Sequence, residues 1–133
     1  MEVKVPTKRF GRTEIQMPVL TCGGMRYQQS WQDIEPEKVE KENQENLEAC
    51  IHRALELGIN HIETARGYGS SEMQLGRVLP KFDRDRLLVQ TKIHPWEFPD
   101  RTLTQVFEQC TGNLQLDHVD LLSIHGVNTP ELL

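Results

Sequence analysis

Apolar residues along this chain follow two rhythms, and the switches between them mark its elements. Leu47, Cys50, Ile51, Ala54 and Leu55 fall at i, i+3, i+4, i+7 and i+8, one face of a helix. Gly58 then supplies the left-handed stop. Residues 60–64, Asn-His-Ile-Glu-Thr, read as a strand, followed by the loop Arg66-Gly67-Tyr68-Gly69-Ser70. A second helix is predicted from Ser71, with Gln74 completing a capping box, a stripe of Leu75, Val78 and Leu79, and Pro80 as its end. Residues 86–92 form an apolar run continuous enough for a strand buried on both faces. Asp100 or Thr102 caps a third helix whose stripe is Leu103, Val106, Phe107, Cys110 and Leu114, weakened by Gly112. A last strand covers 119–125, and 126–133 has no element of its own.

Upstream, 8–10 and 15–17 read as a hairpin around Gly11-Arg12-Thr13-Glu14, where glycine gives the turn its freedom. Val19-Leu20-Thr21-Cys22 is a short strand ended by Gly23-Gly24. A polar stretch runs from Met25 to Asn43, with Pro36 suited to a first helical position. The order is thus a β-hairpin, then βαβαβαβ. Strands alternating with helices about 30 residues apart mean parallel βαβ units. Helices sit on one side if the sheet curls into a barrel, and on both sides if it is doubly wound.

Composition narrows the setting. The chain has 133 residues, 37% hydrophobic and 26% charged, the make-up of one ordinary folded domain. No run is long and apolar enough for a membrane helix. The opening Met1-Glu2-Val3-Lys4 lacks the apolar core of a secretory signal, so the expected location is cytoplasmic. The net charge is −5, and residues 31–50, with seven acids and two lysines, account for all of it. That segment reads as a solvated loop and helix start, and an acidic balance argues against nucleic acid as a partner. Cys22, Cys50 and Cys110 are odd in number with no C-x-x-C spacing, which fits reduced thiols. Cys50 and Cys110 lie on helical stripes and read as small core residues. The histidines carry no metal-ligand spacing, so no metal site is expected.

In a parallel α/β fold, ligands meet the C-terminal ends of the strands. Thr21, Cys22 and Gly23 stand at the first such end, Glu63 and then Tyr68 at the second, Lys92 at the third and His125 at the fourth. Side chains alternate faces along a strand. If Lys92 faces the axis, Gln90 and Leu88 do too; with His125 go Ser123 and Leu121. Thr91, Val89, Leu87, Ile124 and Leu122 then point to the helices. Gln90 and Ser123 read as hydrogen-bonded polar groups below the rim. An ammonium beside a phenol favours the phenolate, which would lower the tyrosine pKa and make it a better acid. A carboxylate holds the ammonium, and an imidazole orients a carbonyl. Such a group suits carbonyl reduction, with hydride drawn from a nicotinamide or flavin.

The stretch from Ala54 to Ala65, then Tyr68-Gly69-Ser70-Ser71-Glu72 and Leu75-Gly76, resembles the second strand and loop of the aldo-keto reductases. Gln90-Thr91-Lys92 and Leu116 to Leu122 with His125-Gly126 resemble the third and fourth strands, and Arg9-Phe10-Gly11-Arg12-Thr13 the opening hairpin that plugs the barrel bottom. The resemblance implies a (β/α)8 barrel reducing aldehydes and ketones with NADPH. It implies Tyr68 as general acid, Lys92 as its partner and His125 as the substrate-orienting group. Glu63 stands where that family has an aspartate. Thr21, Cys22 and Gly23 are the cofactor-binding candidates. A full barrel takes about 250 residues, so residues 1–133 are expected to form its N-terminal half, turning over little alone. The expected partner is a small carbonyl substrate, with self-association through exposed strand edges. The alternative is a non-catalytic binding or regulatory protein on the same scaffold.

Overall fold

A computed structural model describes residues 4–132 apart from Pro95 and Glu97. Strands β1 (Thr7–Arg9) and β2 (Gln16–Pro18) form an antiparallel hairpin, with Arg9 opposite Gln16. Its turn is tied locally: Thr13 Oγ1 donates to the Phe10 carbonyl at 2.6 Å, and Gly11 takes φ +57°. The hairpin is anchored across the end of the first helix, where Val5 N–H donates to the Leu57 carbonyl at 2.8 Å.

Four parallel strands follow in the order β3 (Cys22–Gly23), β4 (His61–Glu63), β5 (Leu88–Ile93) and β6 (Leu121–Ile124). Helices α1 (Lys41–Glu56), α2 (Ser71–Gly76) and α3 (Leu103–Leu114) fill the three crossovers. The buried face of α1 (Leu47, Ile51) meets Ile62, Leu75, Val78, Leu79, Leu87, Val89 and Leu114 in one core. A second cluster joins Ile93 to Val106 and Cys110 of α3. The helices therefore cover one face of the sheet, the arrangement of a curling barrel rather than a doubly wound sheet.

Local chemistry accounts for most boundaries. Thr102 caps α3 with a complete box: its hydroxyl accepts from Gln105 N–H at 3.2 Å, and Gln105 Oε1 accepts from Thr102 N–H at 2.9 Å. Gly58, at φ +80°, ends α1. The box expected at α2 does not form. Ser71 Oγ donates instead to the Gly24 carbonyl at 3.0 Å, and Gln74 Oε1 accepts from Gln29 N–H at 2.9 Å. Both side chains are drawn away to stitch down loop 24–40, which contains a 3₁₀ turn at Pro36–Lys38.

Other expectations are corrected by what lies beside them. The first strand shrinks to Cys22–Gly23, because only there does β4 lie alongside; Val19 and Leu20 stay exposed. Cys50 is exposed, since the buried stripe of α1 is Gln44, Leu47, Ile51 and Ala54. The third strand begins at Leu88, not Arg86, and alternates half-buried and buried residues instead of being buried on both faces. Leu122 and Ile124 point to the helix side as expected, yet are 43% and 46% exposed, because no described helix covers β6. A short 3₁₀ turn, Pro130–Leu132, stands in the segment read as plain loop. Helix α3 ends at Gln115, a non-glycine residue at φ +53°.

Candidate active site

On the face away from the helices, polar side chains stack in two layers. The lower layer runs from Thr21, just before β3, across β4, β5 and β6. Gln90 Nε2 donates to Ser123 Oγ at 2.8 Å, which leaves Gln90 Oε1 to accept from His61 Nε2 at 3.0 Å. His61 Nδ1 then accepts from Thr21 Oγ1 at 2.8 Å. His61 is thus the neutral Nε2–H tautomer, and burial pulls its pKa below the usual histidine value. From β4 onward the bonds are diagonal, whereas Thr21 stands directly opposite His61 in the register set by Cys22 and Ile62. His61 pairs in register with Leu88 but bonds Gln90; Gln90 pairs with Leu121 but bonds Ser123. A two-residue offset per strand is the stagger of tilted barrel strands.

Two residues further along each strand lie Gly23, Glu63, Lys92 and His125, the upper layer. Lys92 ion-pairs with Glu63, again diagonally, and donates to the Thr64 carbonyl at 3.0 Å. It also donates to the Tyr68 hydroxyl at 3.2 Å, its Nζ lying 4.6 Å from the ring centroid. Tyr68 reaches the layer from the loop after β4, where its N–H donates to the Ala65 carbonyl at 3.0 Å. The His125 ring stands edge-on to Tyr68, centroids 5.4 Å apart at 83°. The structure therefore brings Glu63, Tyr68, Lys92 and His125 together on one rim.

Burial governs the electrostatics. Desolvation pulls Lys92 down to about 8, against the Glu63 carboxylate, which favours the charged form. Desolvation also pushes Tyr68 up from its ordinary value. This corrects the sequence expectation of a lowered tyrosine pKa: in the resting site burial outweighs the ammonium, and the phenol keeps its proton at neutral pH.

The three residues at the end of the first strand separate. Thr21 is engaged by His61 in the lower layer. Cys22 packs against the helix-side core, and burial raises its thiol. Gly23 is exposed on the rim beside Glu63, where an added Cβ would lie 3.4 Å from Oε2.

Sequence reading passed over two features. Arg66, buried behind Tyr68, donates to Glu72 at 2.5 Å and ion-pairs with Asp33, fastening the acidic loop beside the rim. Glu72, fully buried, also accepts from Thr91 Oγ1 at 2.6 Å and Asn113 Nδ2 at 3.3 Å. His94 lies flat on His125, centroids 4.1 Å apart at 4°. Its signal was available, since it follows Lys92 by two residues and so shares its face.

The profile of the Aldo/keto reductase family matches residues 19–131. The chain belongs to the aldo/keto reductase family. A methylglyoxal reductase, DkgA, of Salmonella typhimurium is 33% identical over 87 residues, 64% of this chain and 30% of that protein. A thermostable aldo-keto reductase crystallised with the inhibitor epalrestat superposes with TM-score 0.72 at 28% identity, over 94% of this chain and 44% of that one. An aldo-keto reductase of Klebsiella pneumoniae in complex with NADPH shares the fold, with TM-score 0.68 at 20% identity over 91% of this chain and 39% of its own. The chain thus spans about 30% of the length of the curated relatives it matches. Its parallel α/β fold corresponds to part of their barrel.

Proposed function

We propose that the protein carrying this chain reduces aldehyde or ketone groups to alcohols with NADPH, and that this half supplies the proton-handling groups. The contact between Lys92 and Tyr68 at 3.2 Å carries the reading. The residues present fit the nicotinamide end of the cofactor. Gly23 leaves the rim over Glu63 without a side chain, and the place a Cβ would take lies 3.4 Å from Glu63 Oε2, in ordinary contact with it. Glu63 and the Gly23 backbone would hold that end. When bound, NADPH supplies hydride.

The chain's own residues manage the proton. Tyr68, protonated at rest, donates its hydroxyl hydrogen to the carbonyl oxygen as negative charge develops there. The phenolate left behind is stabilised by the Lys92 ammonium. Glu63 and the Thr64 carbonyl hold that ammonium charged and aimed at Tyr68. His125, edge-on to Tyr68, is placed to orient the carbonyl. The substrate is a small carbonyl compound.

In the whole protein, Tyr68→Phe should lower carbonyl reduction by about 10²–10⁴-fold, the usual worth of a general acid. NADPH consumption measures it; an unchanged rate overturns the reading. Glu63 in the aspartate position gives the second reading, a binding protein on this scaffold, its point of support. That reading predicts cofactor or ligand binding with no turnover even before mutation.

A further inference from the structure

Arg66 takes no part in the proton chemistry above, yet it grips the Tyr68 turn from both ends. Its backbone N–H donates to the Lys92 carbonyl at 2.9 Å, which ties the start of the turn to β5. Its side chain returns to the other end. There Nη2 donates to the Gly69 carbonyl at 3.4 Å and ion-pairs with Asp33, while Nη1 donates to Glu72 Oε2 at 2.5 Å. Gly69 takes φ +51° and lies so close to loop 24–40 that an added Cβ would run into the Ser30 carbonyl oxygen. Ser70 N–H donates to that same carbonyl at 3.0 Å. The turn that carries the candidate general acid is thus backed by residues 30–33.

We propose that Asp33 and Arg66 are positioning residues for Tyr68: Asp33 fixes the Arg66 guanidinium in the orientation that grips the Gly69 carbonyl, and the gripped turn holds the phenol against Lys92. This rests on the carbonyl-reductase reading and adds a part to it. The geometry supplies the reason. Tyr68 has backbone bonds of its own, from its N–H to the Ala65 carbonyl and from Ser71 N–H to its carbonyl, both at 3.0 Å. Both lie inside the turn and move with it. Arg66 ties the turn to β5 and to loop 24–40 at once. Glu72 alone would leave the guanidinium to pivot about one nitrogen. A second carboxylate at the other nitrogen stops that pivot, because a planar fork held at both ends has one orientation.

The test measures kcat and KM in variants of the whole protein. The Asp33 side chain is 63% exposed, so its removal opens no cavity. Asp33→Ala should lower kcat roughly tenfold, the scale of a slight misplacement at a reacting centre, with KM nearly unchanged. Arg66→Lys keeps a charge for Glu72 but lacks the fork, and should fall as far. Asp33→Glu keeps the carboxylate and should stay within about threefold of the original. Glu37→Ala removes an exposed charge from the same loop and should change nothing. Unchanged kcat in Asp33→Ala overturns the proposal. So does a rise in KM with kcat intact, which would put Asp33 at the substrate. So does an equal loss in Glu37→Ala, or an Asp33→Glu variant as slow as the alanine one.

A second measurement does not depend on turnover. Nuclear Overhauser contacts between the Tyr68 ring protons and the Lys92 side chain should fade in Asp33→Ala and persist in Asp33→Glu, while backbone signals stay folded. Equal contacts in both overturn the proposal. If the unmutated protein reduces no carbonyl, the function reading fails, and this measurement still decides whether Asp33 and Arg66 place Tyr68.

Discussion

The strongest handle on the site is the charge of Lys92. Burial pulls its pKa to about 8, more than two units below a free lysine. It is the charged form that donates to Tyr68 and would hold a phenolate. For a group with pKa about 8, roughly 90% is ammonium at pH 7 and roughly 10% at pH 9. If only the ammonium form supports proton donation, kcat/KM for carbonyl reduction should fall about tenfold between pH 7 and pH 9, since this ratio reports the free enzyme. Tyr68 does not produce that decline, because burial moves its own titration upward from the ordinary tyrosine value. Lys92→Arg separates the two. A guanidinium stays charged throughout, so the alkaline decline should vanish, even if the altered geometry lowers the rate at every pH. The assay is initial NADPH oxidation with a small aldehyde at constant ionic strength. A profile flat to pH 9.5 refutes the argument. So does the same decline in the arginine variant.

Further outcomes follow from the buried polar groups and the open sheet. Arg66→Met leaves Glu72 fully buried without its cation, which should cost about 3–5 kcal/mol in urea unfolding; a loss below about 1 kcal/mol would show that Thr91 and Asn113 suffice. His61 has its pKa lowered in the folded chain, so the unfolded chain takes up a proton first as pH falls. Its share of stability is therefore intact above about pH 6.5 and is lost progressively as pH falls below it. His61→Gln should flatten that part of the stability profile, and an unaltered slope would count against it. Leu122→Lys with Ile124→Lys should reduce self-association in sedimentation velocity, because these two exposed residues form the apolar outer face of β6; an unchanged distribution of species would remove that face from any such contact.

Alternation within strands was the most legible signal. Val89, Thr91 and Ile93 go to the helices, Gln90 and Lys92 to the other face, as the period of two requires. That parity alone puts Gln90 below Lys92 and Ser123 below His125. Signals involving neighbours distant in sequence were harder to read. Ser71 and Gln74 have the spacing of a capping box, but Gly24 and Gln29 compete for their side chains and win. Val19 and Leu20 have strand-like composition, yet only Cys22 and Gly23 lie against β4. The tyrosine pKa failed for a different reason. Sequence shows that an ammonium is near, but not how much water the surrounding loop removes, and here the second effect is larger.

The two layers explain why four residues scattered from position 63 to position 125 meet at all. Hydrogen bonds that climb two residues per strand fix the relative heights of β4, β5 and β6. Once His61, Gln90 and Ser123 are level, Glu63, Lys92 and His125 must be level as well, because each lies one full strand repeat above. The neutral ladder therefore sets the register of the charged layer without sharing its charge. This arrangement also bears on Glu63. Its side chain is one methylene longer than aspartate, and the rim beside it is Gly23, where a Cβ would already touch Oε2. The carboxylate bends back onto Lys92 across from Gly23, its register partner on β3. The longer acid thus keeps the ion pair that an aspartate would make from a shorter reach, and the ammonium remains aimed at Tyr68.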